Sequence, residues 1–194
     1  MYAVFPRLKL RLNLFALPAA FLTLYLEGFL PTLLLLASAL LHEGGHLLAM
    51  KAFAVPVRRV DLNPMGAVIL YDDSLCSLAA SGWIAFAGAG ANLTALLICL
   101  PWGMRSPYLL FFILANGFLA FLNLLPWKAL DGGKLLFCIA ARHLSAERAE
   151  KLCGAISRLT ALLLAALLFG VGRASEFPLW YLVLSAALLA TGFC

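Results

Sequence analysis

The chain has 194 residues, of which 64% are hydrophobic and 12% charged, with a formal net charge of +5 and a mean hydropathy of +1.01. A soluble core of this length does not need so many apolar residues, and several runs approach the roughly 20 apolar residues that cross a bilayer. The composition therefore excludes a soluble globular protein and predicts an integral membrane protein.

The amino-terminal part of the chain predicts a strand followed by two membrane spans. Residues 7–14 alternate charged or polar side chains with leucine, which is the period-two pattern of a short strand at the membrane surface. Residues 15–29 form a first, short span. Residues 31–53 form the second span, and Pro31 suits the first turn of its helix.

The second span carries the pattern His42-Glu43-Gly44-Gly45-His46. Residues four apart share a helix face and lie about 6 Å apart along the axis, so both imidazoles can bind one ion. This is the HExxH arrangement, in which the histidines bind Zn²⁺ and the glutamate is the general base. Ionisable groups at membrane depth usually mark a functional site. The alternative is a pair of core histidines that are hydrogen-bonded to backbone carbonyls.

Residues 55–71 change character and predict a hairpin. Valine-rich flanks surround a cluster of turn-forming residues from Asp61 to Gly66, and the segment is too short for another membrane crossing. An exposed hairpin edge can pair with an extended segment of a substrate, which is a known mode of peptide recognition. A simple connecting hairpin is the alternative, and the sequence does not choose between them.

Residues 75–101 form the third span, which is rich in glycine and alanine. Small residues let helices approach closely, so the part from Ser81 to Ala95 is expected to pack against the motif helix. Asn92 is polar at membrane depth. We interpret it as the partner in an interhelical hydrogen bond.

The fourth span, residues 108–141, is expected to be broken near residues 124–133. Pro126 and the pair Gly132-Gly133 argue against one continuous helix. Non-helical backbone at membrane depth is tolerated where it is buried in protein or lines a wet cavity. Catalytic zinc usually takes three protein ligands. Among His143 and the acidic residues outside the HExxH pattern, Asp131 alone combines burial with a broken backbone. It is therefore the predicted third ligand.

The rest of the chain completes the predicted topology. Residues 142–158 predict a polar surface helix, and residues 159–171 and 178–193 give a fifth and a sixth span. The fold class is therefore an all-α polytopic membrane protein of about six transmembrane helices, with a small β-hairpin or sheet between spans two and three. We expect one domain over residues 1–194, without a separate soluble domain. All but two of the 14 Lys and Arg residues fall on one side, which places both termini in the cytoplasm.

Three patterns together resemble a known family. They are His-Glu-Gly-Gly-His at residues 42–46, Asn-Leu-Leu-Pro at residues 123–126 and Leu-Asp-Gly-Gly at residues 130–133. They are similar to the site-2 protease family of intramembrane zinc metalloproteases, peptidase family M50, and most similar to its bacterial branch that processes a sporulation sigma factor. The chain departs from the family in having no proline at residues 127–129 or 88–92. We also expect it to lack the ligand-binding domain that commonly follows the last span in the sporulation branch.

The resemblance assigns a role to each site residue. It implies that His42, His46 and Asp131 bind one zinc ion and that Glu43 is the catalytic base. It also implies that Asn123 contacts the substrate or steadies the reacting carbonyl, and it favours the bacterial plasma membrane as the location.

The expected function is hydrolysis of a peptide bond in or near the transmembrane segment of a membrane-tethered substrate. The expected partners are this membrane-protein substrate, the lipid bilayer and a regulatory partner, with no nucleic acid. One alternative is a catalytically silent relative that acts as an adaptor for membrane helices or zinc, although such a protein has no use for Glu43 as a base. Another is a divalent-metal transporter, but the inverted repeats typical of transporters are not visible.

Overall fold

The computed structural model describes residues 9–12, 24–26, 28–63, 66–71 and 76–174. Within these residues, four helices are long and apolar enough to cross a membrane. They are α1 (Phe29–Ala52), α2 (Leu78–Cys99), α3 (Pro107–Leu124) and α5 (Ala146–Ala174). The sixth span that the sequence predicts, and most of the first, lie outside the described residues.

The chain divides into two compact units, residues 1–123 and residues 124–194. The first unit contains a three-stranded sheet of β1 (Lys9–Leu12), β2 (Val57–Asn63) and β3 (Gly66–Tyr71), in the order β1-β2-β3. The first two strands are parallel, and β2 and β3 are antiparallel. The small sheet that the sequence predicts is therefore confirmed, and β3 is one of its edge strands.

The end of α1 leads directly into this sheet. The N–H of Val55 donates to the carbonyl of Met50 at 2.8 Å, and the N–H of Ala54 donates to the carbonyl of Lys51 at 3.2 Å. Ala54 has φ 54°, so these bonds form a Schellman motif with alanine in the left-handed position. Val55 and Met50 are both 2% exposed and belong to the apolar cluster that joins α1 to the sheet.

Helices α1 and α2 approach each other through small residues, as the composition of the third span predicts. A Cβ added at Gly45 would overlap the carbonyl oxygen of Ala87 and lie 2.9 Å from Cβ of Ala91. The neighbouring Gly44 has no such contact, because a Cβ there would meet nothing within 4 Å. Only the second glycine of the motif therefore sets the distance between these two helices.

After α2, a 3₁₀ helix at Leu100–Arg105 leads into α3. The second unit begins at the end of α3 and continues through α4 (Asp131–Ala140) and α5. The sequence predicts a surface helix at residues 142–158 and a separate span at residues 159–171. The structure instead has one continuous helix, α5, because residues 146–174 contain no proline and are rich in strong helix formers. Its first turns carry an exposed ion pair, in which Nζ of Lys151 lies 2.6 Å from Oε1 of Glu147.

Candidate functional site

Helix α1 brings His42 and His46 together. The side chains lie one turn apart on the same face, and their Nε2 atoms are 3.1 Å from each other. The rings meet edge to face, with centroids 4.8 Å apart and planes inclined by 83°. Both residues are buried, with 6% and 7% of their surface exposed. Glu43, between them in sequence, is half-buried.

The other ring nitrogen of each histidine contacts helix α2. Nδ1 of His46 lies 2.7 Å from the carbonyl oxygen of Ile84, which can only accept a hydrogen bond. A neutral His46 ring therefore carries its proton on Nδ1. Nδ1 of His42 lies 2.8 Å from Oδ1 of Asn92. The Asn92 amide nitrogen donates at 3.0 Å to the carbonyl of Ser38, so it is the oxygen of this amide that faces His42.

The hydrogen-bond partners therefore place the proton of each neutral imidazole on Nδ1. The two Nε2 atoms then present lone pairs to each other across 3.1 Å, an arrangement that a cation between them stabilises. In a tetrahedral zinc site with Zn–N distances of about 2.0–2.1 Å, two ligand nitrogens lie about 3.3 Å apart. Zinc-binding histidines almost always donate their other ring N–H to a carbonyl, carboxylate or water. The donor set and geometry of His42 and His46 thus fit a zinc ion.

Gly88 is the point where α2 lies against both imidazoles. A Cβ at this position would overlap Nε2 of His46 and would lie 2.7 Å from Cε1 of His42. Ile84, Gly88 and Asn92 are spaced by four residues, so these three contacts to the two rings come from one face of α2. The sequence did not predict a role for Gly88 at the site. The spacing of Gly88 and Asn92 on one helix face is the signal that would have drawn attention to it.

Asn92 forms interhelical hydrogen bonds, as the sequence predicts, and His42 is one of its partners on α1. The residue is fully buried. A polar residue interpreted as packing between helices thus contacts a candidate metal ligand directly. The sequence alone does not show this, because the partner depends on which face of α2 meets α1.

Asn123, the predicted substrate contact, lies near the end of α3 and is half-buried. Its amide nitrogen donates at 3.0 Å to the carbonyl of Leu119, one turn earlier in the same helix. This bond orients the side chain locally. Its role in substrate binding stays a prediction.

Asp131 is the first residue of α4 in the second unit, and it is half-buried. The chain from residue 125 to residue 130 is not helical and folds back on the first turn of α4, where the N–H of Leu130 donates to the carbonyl of Trp127 at 2.9 Å. A Cβ at Gly132 would overlap the carbonyl oxygens of Leu124 and Leu125. The glycine after Asp131 is therefore needed for the close approach of this backbone.

The same segment is anchored to α5. A Cβ at Gly133 would overlap the carbonyl oxygen of Trp127, so the second glycine is needed as well. The backbone N–H of Lys128 donates at 3.1 Å to Oγ of Ser157, a residue that is 2% exposed. These contacts fix the backbone from which the carboxylate of Asp131 projects. A carboxylate in the first turn of a helix is also stabilised by the helix dipole.

Comparisons with known proteins agree with a mostly helical fold that has several apolar spans. The model of Peptidase family M50 matches residues 100–164, about a third of the chain, which include Asn123 and Asp131 but not residues 42–46. No curated protein matches the chain in sequence. The solved structure of a site-2 protease from Methanocaldococcus jannaschii matches with a TM-score of 0.62 and 19% identity, covering 99% of this chain and 92% of that one. The chain thus has the fold of that site-2 protease.

Proposed function

We propose that this chain is an intramembrane zinc metalloprotease of the site-2 protease family. The observation that carries the proposal is the pair of Nε2 atoms at 3.1 Å on His42 and His46, with both Nδ1 atoms already engaged as donors. The proposal is supported by the fold that the chain shares with the solved site-2 protease and by the match to Peptidase family M50 over residues 100–164. Four apolar helices among the described residues support a location in the membrane.

His42, His46 and Asp131 are the proposed zinc ligands. Two neutral imidazoles and one carboxylate have the donor chemistry to hold a metal ion, and three protein ligands are the usual number at a catalytic zinc. When bound, zinc supplies a Lewis acid for peptide hydrolysis.

Glu43 is the proposed general base. It follows His42 in α1, so its carboxylate projects beside the face that carries the two imidazoles. There it takes a proton from the attacking water and returns it to the leaving amine, a role worth about 10²- to 10⁴-fold in rate. Asn123 hydrogen-bonds the substrate near the carbonyl that is attacked.

The substrate is a membrane-tethered protein that is cut in or near its transmembrane segment. Peptide bonds in a helix are protected by their own hydrogen bonds, so the substrate must unwind locally, and the lost bonds must be replaced. Strand β3 at the edge of the sheet offers backbone groups for such pairing. The proposal includes six spans, cytoplasmic termini, a bacterial plasma membrane location, the sporulation branch and a regulatory partner.

The test is cleavage of co-expressed single-span membrane proteins by the wild type and by Glu43→Gln. We expect the variant to lose cleavage by at least about 10²-fold while it retains zinc. Glu150→Gln, which changes an exposed glutamate at the start of α5, is the matched control and should cleave like the wild type. Undiminished cleavage by Glu43→Gln would overturn the assignment of the base. Zinc binding without cleavage of any substrate by the wild type would favour an adaptor.

A further inference from the structure

A buried hydrogen-bond network extends from His42 to a third helix. Asn92 on α2 and Asn116 on α3 are both fully buried, as is Ser38 on α1. The amide nitrogen of Asn92 donates at 3.0 Å to the carbonyl of Ser38 and at 2.7 Å to Oδ1 of Asn116. Its oxygen contacts His42 at 2.8 Å. Both amide hydrogens and the oxygen of Asn92 are therefore used.

Asn116 is fixed in the same manner. Its amide nitrogen donates at 2.8 Å to the carbonyl of Phe112 and at 2.9 Å to Oγ of Ser38. The hydroxyl of Ser38 in turn donates at 2.9 Å to the carbonyl of Leu34. Backbone carbonyls can only accept hydrogen bonds. The orientation of both amides is thus determined by backbone atoms of α1 and α3, which no change of protonation can reverse.

The consequence reaches the metal-binding face of His42. Because Asn92 presents its oxygen, a neutral His42 imidazole carries its proton on Nδ1, and its Nε2, 3.1 Å from Nε2 of His46, then bears the lone pair. A partner that could both donate and accept, such as a serine hydroxyl, would permit the other tautomer as well. A ring protonated on Nε2 cannot bind a metal through that atom.

We propose that Asn92, oriented by Asn116 and Ser38, is a positioning residue that holds His42 in the tautomer able to bind a metal. The expected effect of Asn92 on metal affinity rests on the proposed function, whereas its expected effect on the tautomer of His42 does not. His46 provides an internal comparison, since its Nδ1 donates to the backbone carbonyl of Ile84, which no side-chain substitution removes. A change at Asn92 should therefore affect one histidine and not the other.

The test is ¹⁵N NMR of the full-length, metal-free chain labelled on histidine. The chain has three histidines, and His143→Gln removes the exposed one outside the site. In this background we expect His42 and His46 to be protonated on Nδ1. Asn92→Leu should move the proton of His42 to Nε2, where it can bond to Nε2 of His46, while His46 keeps its tautomer. Asn92→Asp retains an acceptor and should restore Nδ1 protonation at His42.

The same variants are then titrated with Co²⁺, whose visible absorption reports its ligands. We expect Asn92→Leu to weaken Co²⁺ binding by about 10- to 100-fold, the usual effect of removing a hydrogen-bond partner of a metal ligand. Asn116→Leu should cause a smaller loss. Thr94→Val is the matched control. It removes an exposed hydroxyl on α2 that donates to the carbonyl of Gly90 in the same helix.

The outcomes separate the two proposals. Protonation of His42 on Nε2 in the wild type, or an unchanged tautomer in Asn92→Leu, would overturn the positioning role. An effect of Asn116→Leu no larger than that of Thr94→Val would overturn its extension to α3. If the tautomers behave as expected but the wild type binds no Co²⁺, the positioning role stands and the proposed function fails.

Discussion

Gly88 lies so close to the imidazole of His46 that a single added Cβ would overlap Nε2 of that ring. The candidate metal site is thus shaped by the absence of a side chain as much as by the ligands themselves. A small change at this position should displace the imidazoles without removing any of the chemical groups.

We expect Gly88→Ala to weaken metal binding by about 5- to 150-fold, because an extra methyl group forced into a packed interior costs about 1–3 kcal/mol. The measurement is Co²⁺ affinity by competition with a chelator. Gly90→Ala is the control, since a Cβ there would lie 3.3 Å from the flexible ring of Phe86 and should leave the affinity unchanged. Equal affinities for both variants would show that α2 does not lie against the two rings.

The two glycines of the motif should differ in their tolerance of alanine. We expect Gly45→Ala to lower the free energy of unfolding by about 1–3 kcal/mol, because its Cβ would overlap the backbone of Ala87. Gly44→Ala should be neutral or stabilising by up to about 1 kcal/mol, since alanine is the better helix former and its Cβ meets nothing. Thermal unfolding in detergent checks both. Similar destabilisation by the two variants would contradict the packing of α1 on α2.

The glycine after Asp131 should be equally intolerant. We expect Gly132→Ala to reduce zinc content below half of the wild-type level, because the Cβ would push the first turn of α4 away from residues 124–125. Gly154→Ala on α5, where a Cβ would meet nothing within 4 Å, is the matched control. Zinc content is measured on purified protein by atomic emission. Full zinc content in Gly132→Ala would show that the close approach at this turn does not matter for the ligand.

Ser157 should stabilise the broken segment that precedes Asp131. We expect Ser157→Ala to destabilise the chain by about 0.5–1.5 kcal/mol, because the N–H of Lys128 loses the acceptor of a part-buried hydrogen bond. Thr160→Val removes a hydroxyl that donates to the carbonyl of Ile156 within α5, and it should cost little. The readout is the unfolding temperature of the two variants, and the expectation fails if Ser157→Ala unfolds at the same temperature as Thr160→Val.

The sequence was sufficient for those features that depend on local spacing. Two histidines four apart in an apolar run predict a shared helix face, and the proline and glycine pair around Asp131 predict a break in the fourth span. Valine flanks around a turn cluster predict the hairpin that β2 and β3 form. Each of these follows from propensity and periodicity within about a dozen residues.

Features that depend on which helix faces meet could not be predicted in this way. Gly88 is one of several small residues in α2. Its spacing of four residues from Asn92 indicates a shared helix face, but only the packing of α2 on α1 shows that this face meets the two imidazoles. Asn116 lies in an apolar span, and its hydrogen bonds to Asn92 and Ser38 require three helices in place. The sequence also predicts a surface helix and a separate fifth span where the structure has the single helix α5. The polar composition changes along this helix, whereas its helical propensity does not.

The most direct test of the account is zinc K-edge X-ray absorption of the purified full-length chain, alongside the zinc content of the wild type and of Asp131→Ala. We expect about one zinc per chain, bound by two imidazoles and oxygen ligands, and loss of most of that zinc in the variant. A wild-type chain without stoichiometric zinc, or an Asp131→Ala variant with the same zinc content and spectrum as the wild type, would contradict the proposed metal centre.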